Sequence, residues 1–321
     1  MLLCAPLFRD KFSVMNPMPS AEQQAATRTG VFNALAAYVM WGVAPIYFKL
    51  LVDIGAGEIL MHRIIWSSLF LLVLVLVMKK WQALITLCRQ PKLVLKLAIS
   101  AAILALNWLL FIWAVNNDHL LDASLGYFIN PLFNVALGML FFSERLRQNQ
   151  FIAVILAVIG VLVQLVTLGS IPIVSLVLAS SFAAYGVLRK KMQVDSFVGL
   201  LVESLLMLPF ALIYWQFFVV SPTADLTANS DSLNLTLVLA GVVTTAPLLC
   251  FTAAAKRLTL SSLGFFQYIG PSIMFVLAVF YYQETMQSAE FVTFIFIWSA
   301  LALYSLDSFN SMRKRKQSLS Q

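Results

Sequence analysis

An all-α polytopic membrane protein is the fold class the sequence predicts, with ten transmembrane helices in two inverted five-helix repeats. Composition is the first reason: of 321 residues, 61% are hydrophobic and only 11% charged, with a mean hydropathy of +0.90, whereas soluble domains run near a quarter charged. Apolar stretches of about twenty residues, the length that crosses a hydrocarbon core as a helix, recur from Val31 to the tail. The third reason is a pattern that occurs twice, "GYFINPLFNVALGMLFFSE" at 126–144 and "QYIGPSIMFVLAVFYYQE" at 267–284, in each of which a Glu falls thirteen residues after a Pro.

The spans follow in order. The first, 31–51, holds Tyr38, Trp41 and Lys49, and the second, 57–78, holds His62 and Arg63. The third, 97–116, sets Ala98, Ala102 and Ala105 on a face that lets backbones approach closely, and carries Asn107 and Trp108. The fourth, 121–143, contains Tyr127, Asn130, Pro131 and Asn134, and the fifth, 150–168, has a small-residue face at Ala153, Ala157 and Gly160. The sixth, 171–188, includes Tyr185 and the seventh, 197–219, Glu203; the eighth is 235–255, the ninth, 260–282, holds Gln267, Tyr268 and Pro271, and the tenth is 289–308. The chain thus divides into a disordered cytoplasmic tail at 1–30, repeats at 31–168 and 171–308, and a basic cytoplasmic tail at 309–321. The first thirty residues lack the apolar core and cleavage site of a secretory signal, and Met15 or Met18 is a candidate start.

Lys and Arg are held in cytoplasmic loops and set the orientation. Of the 21, three fall in the N-terminal tail, five after the second span, two after the fourth, three after the sixth (Arg189, Lys190 and Lys191), two after the eighth and four at the end. Only Lys49 and Arg63 fall within spans, so both termini are cytoplasmic. The net charge of +7 reflects membrane orientation and calls for no nucleic-acid partner. Pro131 then lies in a span running inward and Pro271 in one running outward, five spans later, so the second copy is inverted, a plan that recurs in transporters. "HLLDASLGYF" against "RLTLSSLGFF" and "WGV" against "YGV" keep the same order, at spacings of 138 to 144 residues.

Each proline removes a helix bond and frees the carbonyl four residues back, at Tyr127 and Gln267. Paired interruptions of this kind point to gating or a central site, although transmembrane helices also tolerate proline. A charge at the bilayer centre costs about 2.5–3.5 kcal/mol even on the insertion scale, so ionisable residues inside spans need partners or water. Lys49 reads as snorkelling, and His62 has Glu58 one turn away. Arg63 and Glu203, each six residues into the second span of its repeat, read as facing a wet cavity, Arg63 to hold an anionic substrate group and Glu203 or His62 to exchange a coupling proton. Candidate substrate contacts are Arg63, His62, Asn107, Asn130, Asn134, Tyr38, Trp41, Trp108, Tyr127, Tyr185, Gln267 and Tyr268: a few polar anchors among aromatic walls. Glu144 and Glu284, near span ends, read as capping or loop partners.

Cys4, Cys88 and Cys250 have neither disulfide nor metal-ligand spacing. The histidines are His62 and His119, and no His/Asp, Glu-rich or Cys/His cluster suggests a nucleophile or metal, which argues against an enzyme. No cofactor is expected, and no G-x-x-x-x-G-K-[ST] loop occurs for nucleotide-driven transport.

The stretches "YVMWGVAPIYFKLL", "EILMHRIIWS", "SLGYFINPL", "SERL", "YGVLRKK" and "SLGFFQYIGPS" resemble the EamA-type permeases of the drug/metabolite transporter superfamily, over about residues 31 to 308. The resemblance implies a bacterial inner-membrane secondary transporter exporting small metabolites or drugs, chloramphenicol-like or amino-acid-like compounds among them. It also implies alternating access around a cavity lined by the first four helices of each repeat, with a small-molecule substrate and membrane lipid as the partners. An uptake permease and a non-transporting membrane scaffold or receptor are the alternatives that the residues leave open.

Overall fold

The computed structural model describes residues 21–51, 53–116, 120–168, 173–219, 223, 225–281, 283 and 288–317, and among them every regular element is helical. The helices are α1 Ala21–Phe48, α2 Ala56–Val77, α3 Trp81–Cys88, α4 Pro91–Asn116, α5 Leu120–Phe142, α6 Gln148–Leu168, α7 Ile173–Met192, α8 Ser196–Phe217, α9 Asp231–Ala255, α10 Leu260–Gln267, α11 Ile269–Val276 and α12 Ser288–Gln317. Nine stretches among the described residues are long and apolar enough to cross a membrane, and Gly126–Phe142 of α5 is a shorter apolar helix. This is a multi-pass membrane protein.

Helices are the natural element here because a bilayer core offers no water to backbone groups, and a helix satisfies them within one segment. Their ends carry the expected chemistry. Pro91 opens α4, where its missing N–H is no loss. Asp195 caps α8 by accepting from the Phe197 and Val198 N–H groups, and Ser230 and Thr259 cap α9 and α10.

Several boundaries differ from the sequence expectation. Residues 21–30, assigned to a disordered tail, are the first turns of α1, since "AEQQAATRTG" is rich in strong helix formers. The candidate starts Met15 and Met18 lie outside the described residues, as do Glu284 and His119. The basic tail at 309–321 is helical as far as Gln317, where Arg and Lys favour the negative end of the helix dipole. A short helix, α3, lies within the basic stretch after the second span and buries Leu84 and Leu87.

The two prolines act differently. α5 runs without interruption through Pro131, whereas the ninth span breaks at Tyr268, three residues before Pro271, and ends in a π-helical turn at Leu277–Tyr281.

The main packing partners are α6 with α12, α5 with α7 and α10, α2 with α8 and α9, α1 with α9 and α11, and α4 with α7 and α8. Lipid is as apolar as any side chain, so these contacts rest on close van der Waals fit and small residues. A Cβ on Gly264 of α10 would lie 2.7 Å from the Pro131 carbonyl oxygen of α5, and one on Gly241 of α9 would lie 2.5 Å from the Trp66 carbonyl carbon of α2. Tyr38, Trp41, Phe182, Tyr185 and Phe251 form one aromatic core; Phe128, Phe265, Tyr268, Phe294 and Tyr304 belong to a second. Large apolar side chains such as Phe210, Phe217 and Phe280 face outward, as a lipid-facing surface requires.

Gly264→Ala therefore forces a backbone shift at the α5–α10 contact, and overpacking of this kind costs about 1–3 kcal/mol. Thermal unfolding in detergent should show a Tm lower by a few degrees, while Gly55→Ala, with nothing within 4 Å of its added Cβ, leaves Tm unchanged. Equal Tm values for the two variants would contradict the close approach.

Candidate functional site

Where α2, α4, α8 and α9 meet there is a cavity of about 20 Å³, room for about one water molecule. Arg63, Ser67, Trp108, Glu203, Ser204, Thr244 and Thr245 line it along with apolar side chains. Arg63 and Glu203, placed by sequence in different halves of the chain, therefore share one hollow. The Ser68 and Ser204 hydroxyls join α2 to α8 beside it at 2.8 Å.

Arg63 is half-buried in the wall. Its Nε donates to Thr244 Oγ1 at 2.8 Å, and its guanidinium lies 4.7 Å from the Trp108 ring centre and 5.7 Å from that of Phe48. These are cation–π distances. Among the described residues no carboxylate lies within ion-pair distance of it.

Glu203 is fully buried and accepts three donors: Ser100 Oγ–H from α4, Tyr185 O–H at 3.3 Å and Arg189 Nη1–H at 3.3 Å, both from α7. Arg189 is also only 1% exposed, and a Cβ on Gly199 would lie 2.6 Å from its Nη1. Gly199 thus leaves the space that the guanidinium occupies. Its Nε and Nη2 atoms have no hydrogen-bond partner.

Arg189 is the residue that sequence reasoning missed. Read as the first of a basic trio in a cytoplasmic loop, it is instead a buried residue of the last two turns of α7. The available signal was spacing: Tyr185 and Arg189 are four residues apart, on one helix face, and both reach Glu203.

Most of the other candidates do not reach the cavity. Asn134 Nδ2 donates to Asn130 Oδ1 at 3.1 Å and to Gln267 Oε1 at 3.0 Å, while Asn130 donates to the Ala179 carbonyl, so the three amides bind α5 to α7 and α10. Asn107 donates to the Leu178 carbonyl and Ser181 Oγ of α7. Tyr38, Trp41 and Tyr185 pack in the first aromatic core, and Tyr268 donates to the Phe128 carbonyl. Tyr127 is partly exposed, packs against Phe111 and lies within electrostatic reach of Arg63 without lining the cavity. His62 is fully buried; its Nδ1 accepts from Trp66 Nε1 at 3.2 Å and its Nε2 has no partner. Of the expected substrate contacts, only Arg63 and Trp108 line the cavity, beside the expected proton site Glu203.

The Pro-to-Glu pattern receives a structural explanation at its first copy. Glu144 accepts from the Leu260 and Ser261 N–H groups at 2.7 and 2.9 Å, capping the start of α10. Nearby, Lys80 pairs with Asp195 at 2.6 Å. Burial acts to raise the Asp195 carboxyl, but Lys80 and the Val198 and Phe197 N–H groups outweigh it and hold the carboxyl below its ordinary value. Burial, aided by the charge of Arg189, lowers Lys256 to about 8.

Residues 28–166 match the EamA-like transporter family. Over 289 residues, 90% of this chain and 98% of the relative, the chain is 56% identical to Protein RarD of Salmonella typhimurium. The chain belongs to the EamA-like transporter family. The chain is also similar to an uncharacterized transporter of Vibrio cholerae, 54% identical over 89% of this chain and 94% of that one, and to the chloramphenicol-sensitive protein RarD of Pseudomonas aeruginosa, 32% identical over 89% and 96%. A crystal structure with 18% identity covers 88% of this chain and 98% of its own, with a TM-score of 0.68, and shares the fold. Membership in a transporter family fits a protein that is not an enzyme, and places the chain in the drug/metabolite transporter superfamily.

Removing one partner of a buried ion pair strands a charge, at a cost of about 3–5 kcal/mol, whereas replacing both by apolar groups is often neutral. Arg189→Met should therefore lower Tm strongly and Arg189→Met/Glu203→Met should recover most of the loss; a double variant as unstable as the single would contradict the pairing. Asp195→Asn keeps the cap and loses the ion pair. Because the folded-state pKa of Asp195 is depressed, its contribution is present above the ordinary carboxylate pKa of about 4 and is lost as pH falls through the lower folded value. The Tm difference between wild type and Asp195→Asn should be seen at neutral pH and vanish in acid.

Proposed function

We propose that the chain is a secondary transporter of ten transmembrane helices in two inverted five-helix repeats, exporting small metabolites or drugs across the bacterial inner membrane by alternating access, with both termini cytoplasmic. The observation that carries this reading is the shared cavity: Arg63 and Glu203, 140 residues apart at corresponding positions of α2 and α8, line one hollow at the crossing of those helices. The packing supports the repeat as well. Exchanging α1, α2, α4, α5 and α6 for α7, α8, α9, α10–α11 and α12 turns α5/α7 into α11/α1, α2/α9 into α8/α4 and α1/α9 into α7/α4, and returns α2/α8, α5/α10 and α6/α12 to themselves.

A cavity that fits one water admits an organic substrate only when helices part at one end. At the Lys/Arg-rich end the closing contacts are Lys80 with Asp195, Lys190 with the Ala255 and Leu258 carbonyls, and Glu144 with the start of α10. At the other end they are Tyr47 with the Thr236 carbonyl and Thr223 with Glu58. Breaking one set while the other holds would expose Arg63, Trp108 and Glu203 to one side at a time. The interrupted ninth span and proline-bearing α5 supply the deformable elements, and Asn107, Asn130, Asn134, Gln267 and the aromatic cores move with them. Glu203 is the proposed site of a coupling proton, since protonation would cancel the charge that holds Arg189; His62 is a second candidate. Chloramphenicol, which appears in the name of the Pseudomonas aeruginosa relative, is uncharged and serves as the neutral compound to compare with anionic ones.

In liposomes, counterflow per folded protein should fall about tenfold or more in both Arg63→Ala and Glu203→Gln, the scale expected when one charge contact of about 1.4 kcal/mol is lost. Unchanged flux in both variants would overturn the site, and flux insensitive to a collapsed pH gradient would overturn the coupling.

A further inference from the structure

The cavity carries a charge imbalance that identifies what it binds. Two ionisable side chains line it. Glu203 is matched: its two oxygens accept from Ser100, Tyr185 and Arg189, and the guanidinium of Arg189 cancels its charge. Arg63 is not matched. Among the described residues its one hydrogen bond is from Nε to the neutral Thr244 hydroxyl, its flat faces meet Trp108 and Phe48, and no acid pairs with it. Thr245, 2% exposed and lining the same cavity, has a hydroxyl with no partner. An isolated positive charge and an idle hydroxyl therefore face one hollow walled by Leu71, Leu104, Met207, Leu248 and the Trp108 ring.

A low-dielectric site amplifies charge effects in both directions. A cationic ligand would meet the field of Arg63 with Glu203 already occupied. A neutral ligand would leave the guanidinium unmatched. A carboxylate supplies the missing charge and can accept from the Nη groups and the Thr245 hydroxyl together, in the fork geometry that arginine favours. We infer that this cavity, once the helices part to enlarge it, selects small organic monoanions, a carboxylate seated on Arg63 and Thr245 with an apolar or aromatic body against Trp108 and the leucine wall. This rests on the reading of the cavity as the transport site, and it gives Arg189 a defined part: by neutralising Glu203 it makes the net charge of the site positive.

The test measures binding apart from flux. The full-length protein in lipid nanodiscs at neutral pH is titrated with benzoate and phenylacetate, with their methyl esters, and with benzylamine, following Tm and the fluorescence change expected of Trp108 beside Arg63. Wild type should bind the two carboxylates at least about tenfold more tightly than the esters or the amine, the factor that one charge contact of about 1.4 kcal/mol provides. Arg63→Gln should bind acid and ester alike. Arg63→Lys, which keeps the charge and loses the fork, should bind the acids more weakly while still preferring them to the esters. Esters or amine binding as well as the acids, no binding of either acid, or an acid preference that survives in Arg63→Gln would each overturn the inference. Counterflow of the same probes in liposomes separates this from the transport reading. Carboxylates that bind and are not exchanged leave the anion site standing and remove transport through it, whereas exchange of neutral or cationic probes without carboxylate binding does the reverse.

Discussion

A charged side chain in a hydrocarbon layer must find an opposite charge or water, and this requirement organises the interior of the protein. The buried Arg189–Glu203 pair is its clearest expression. Glu203 gathers Ser100 from α4 and Tyr185 and Arg189 from α7, so one carboxylate ties three helices together around the end of the cavity. Buried pairs are seldom a net source of stability, because desolvation offsets most of the attraction. With two guanidinium nitrogens left unpartnered, this one is less than fully satisfied, which suits a contact that must rearrange more than one that must only hold.

Around that centre the remaining polar groups act chiefly as fasteners. The Asn130–Asn134–Gln267 chain sits where α5 and α10 come close enough for Gly264 to face the Pro131 carbonyl. Thr293 donates to the Gly160 carbonyl where α12 meets α6, and Ser67 to the Gly241 carbonyl where α9 meets α2. Small residues bring backbones together, and hydroxyls or amides then satisfy carbonyls that lipid cannot. Prolines and amides that look like a binding motif in sequence are thus partly the means by which α5 and α10 are held together.

The fold was legible to different depths. Span length and hydropathy placed most of the apolar helices to within a few residues, since lipid imposes a length that few other constraints disturb, although α4 begins at Pro91, ahead of the span expected at 97–116. Helix beginnings at 21 and ends at 317 were not seen, because hydropathy is blind to polar helical extensions such as "AEQQAATRT" and "SMRKRKQ". Arg63 and Glu203 stand out in the sequence because a charge inside an apolar run is conspicuous, while Arg189 is hidden in a basic cluster of the kind that marks loops. The amides and tyrosines were expected at the cavity because polarity inside a span shows that a partner exists without showing which one. Asn107 meets α7, and Tyr185 turns to Glu203 inside the aromatic core, contacts between distant segments that spacing along one helix does not encode.

Alternating access requires one cavity, holding Arg63, to be reached from each side of the membrane in turn. Thr245→Cys, in a chain whose three native cysteines are replaced by Ser, places a thiol on that cavity's wall. Labelling with a membrane-impermeant thiol reagent in right-side-out and inside-out vesicles reports from which side that thiol is reached. Modification from both sides is the expected result; modification from one side only, or from neither, would contradict it.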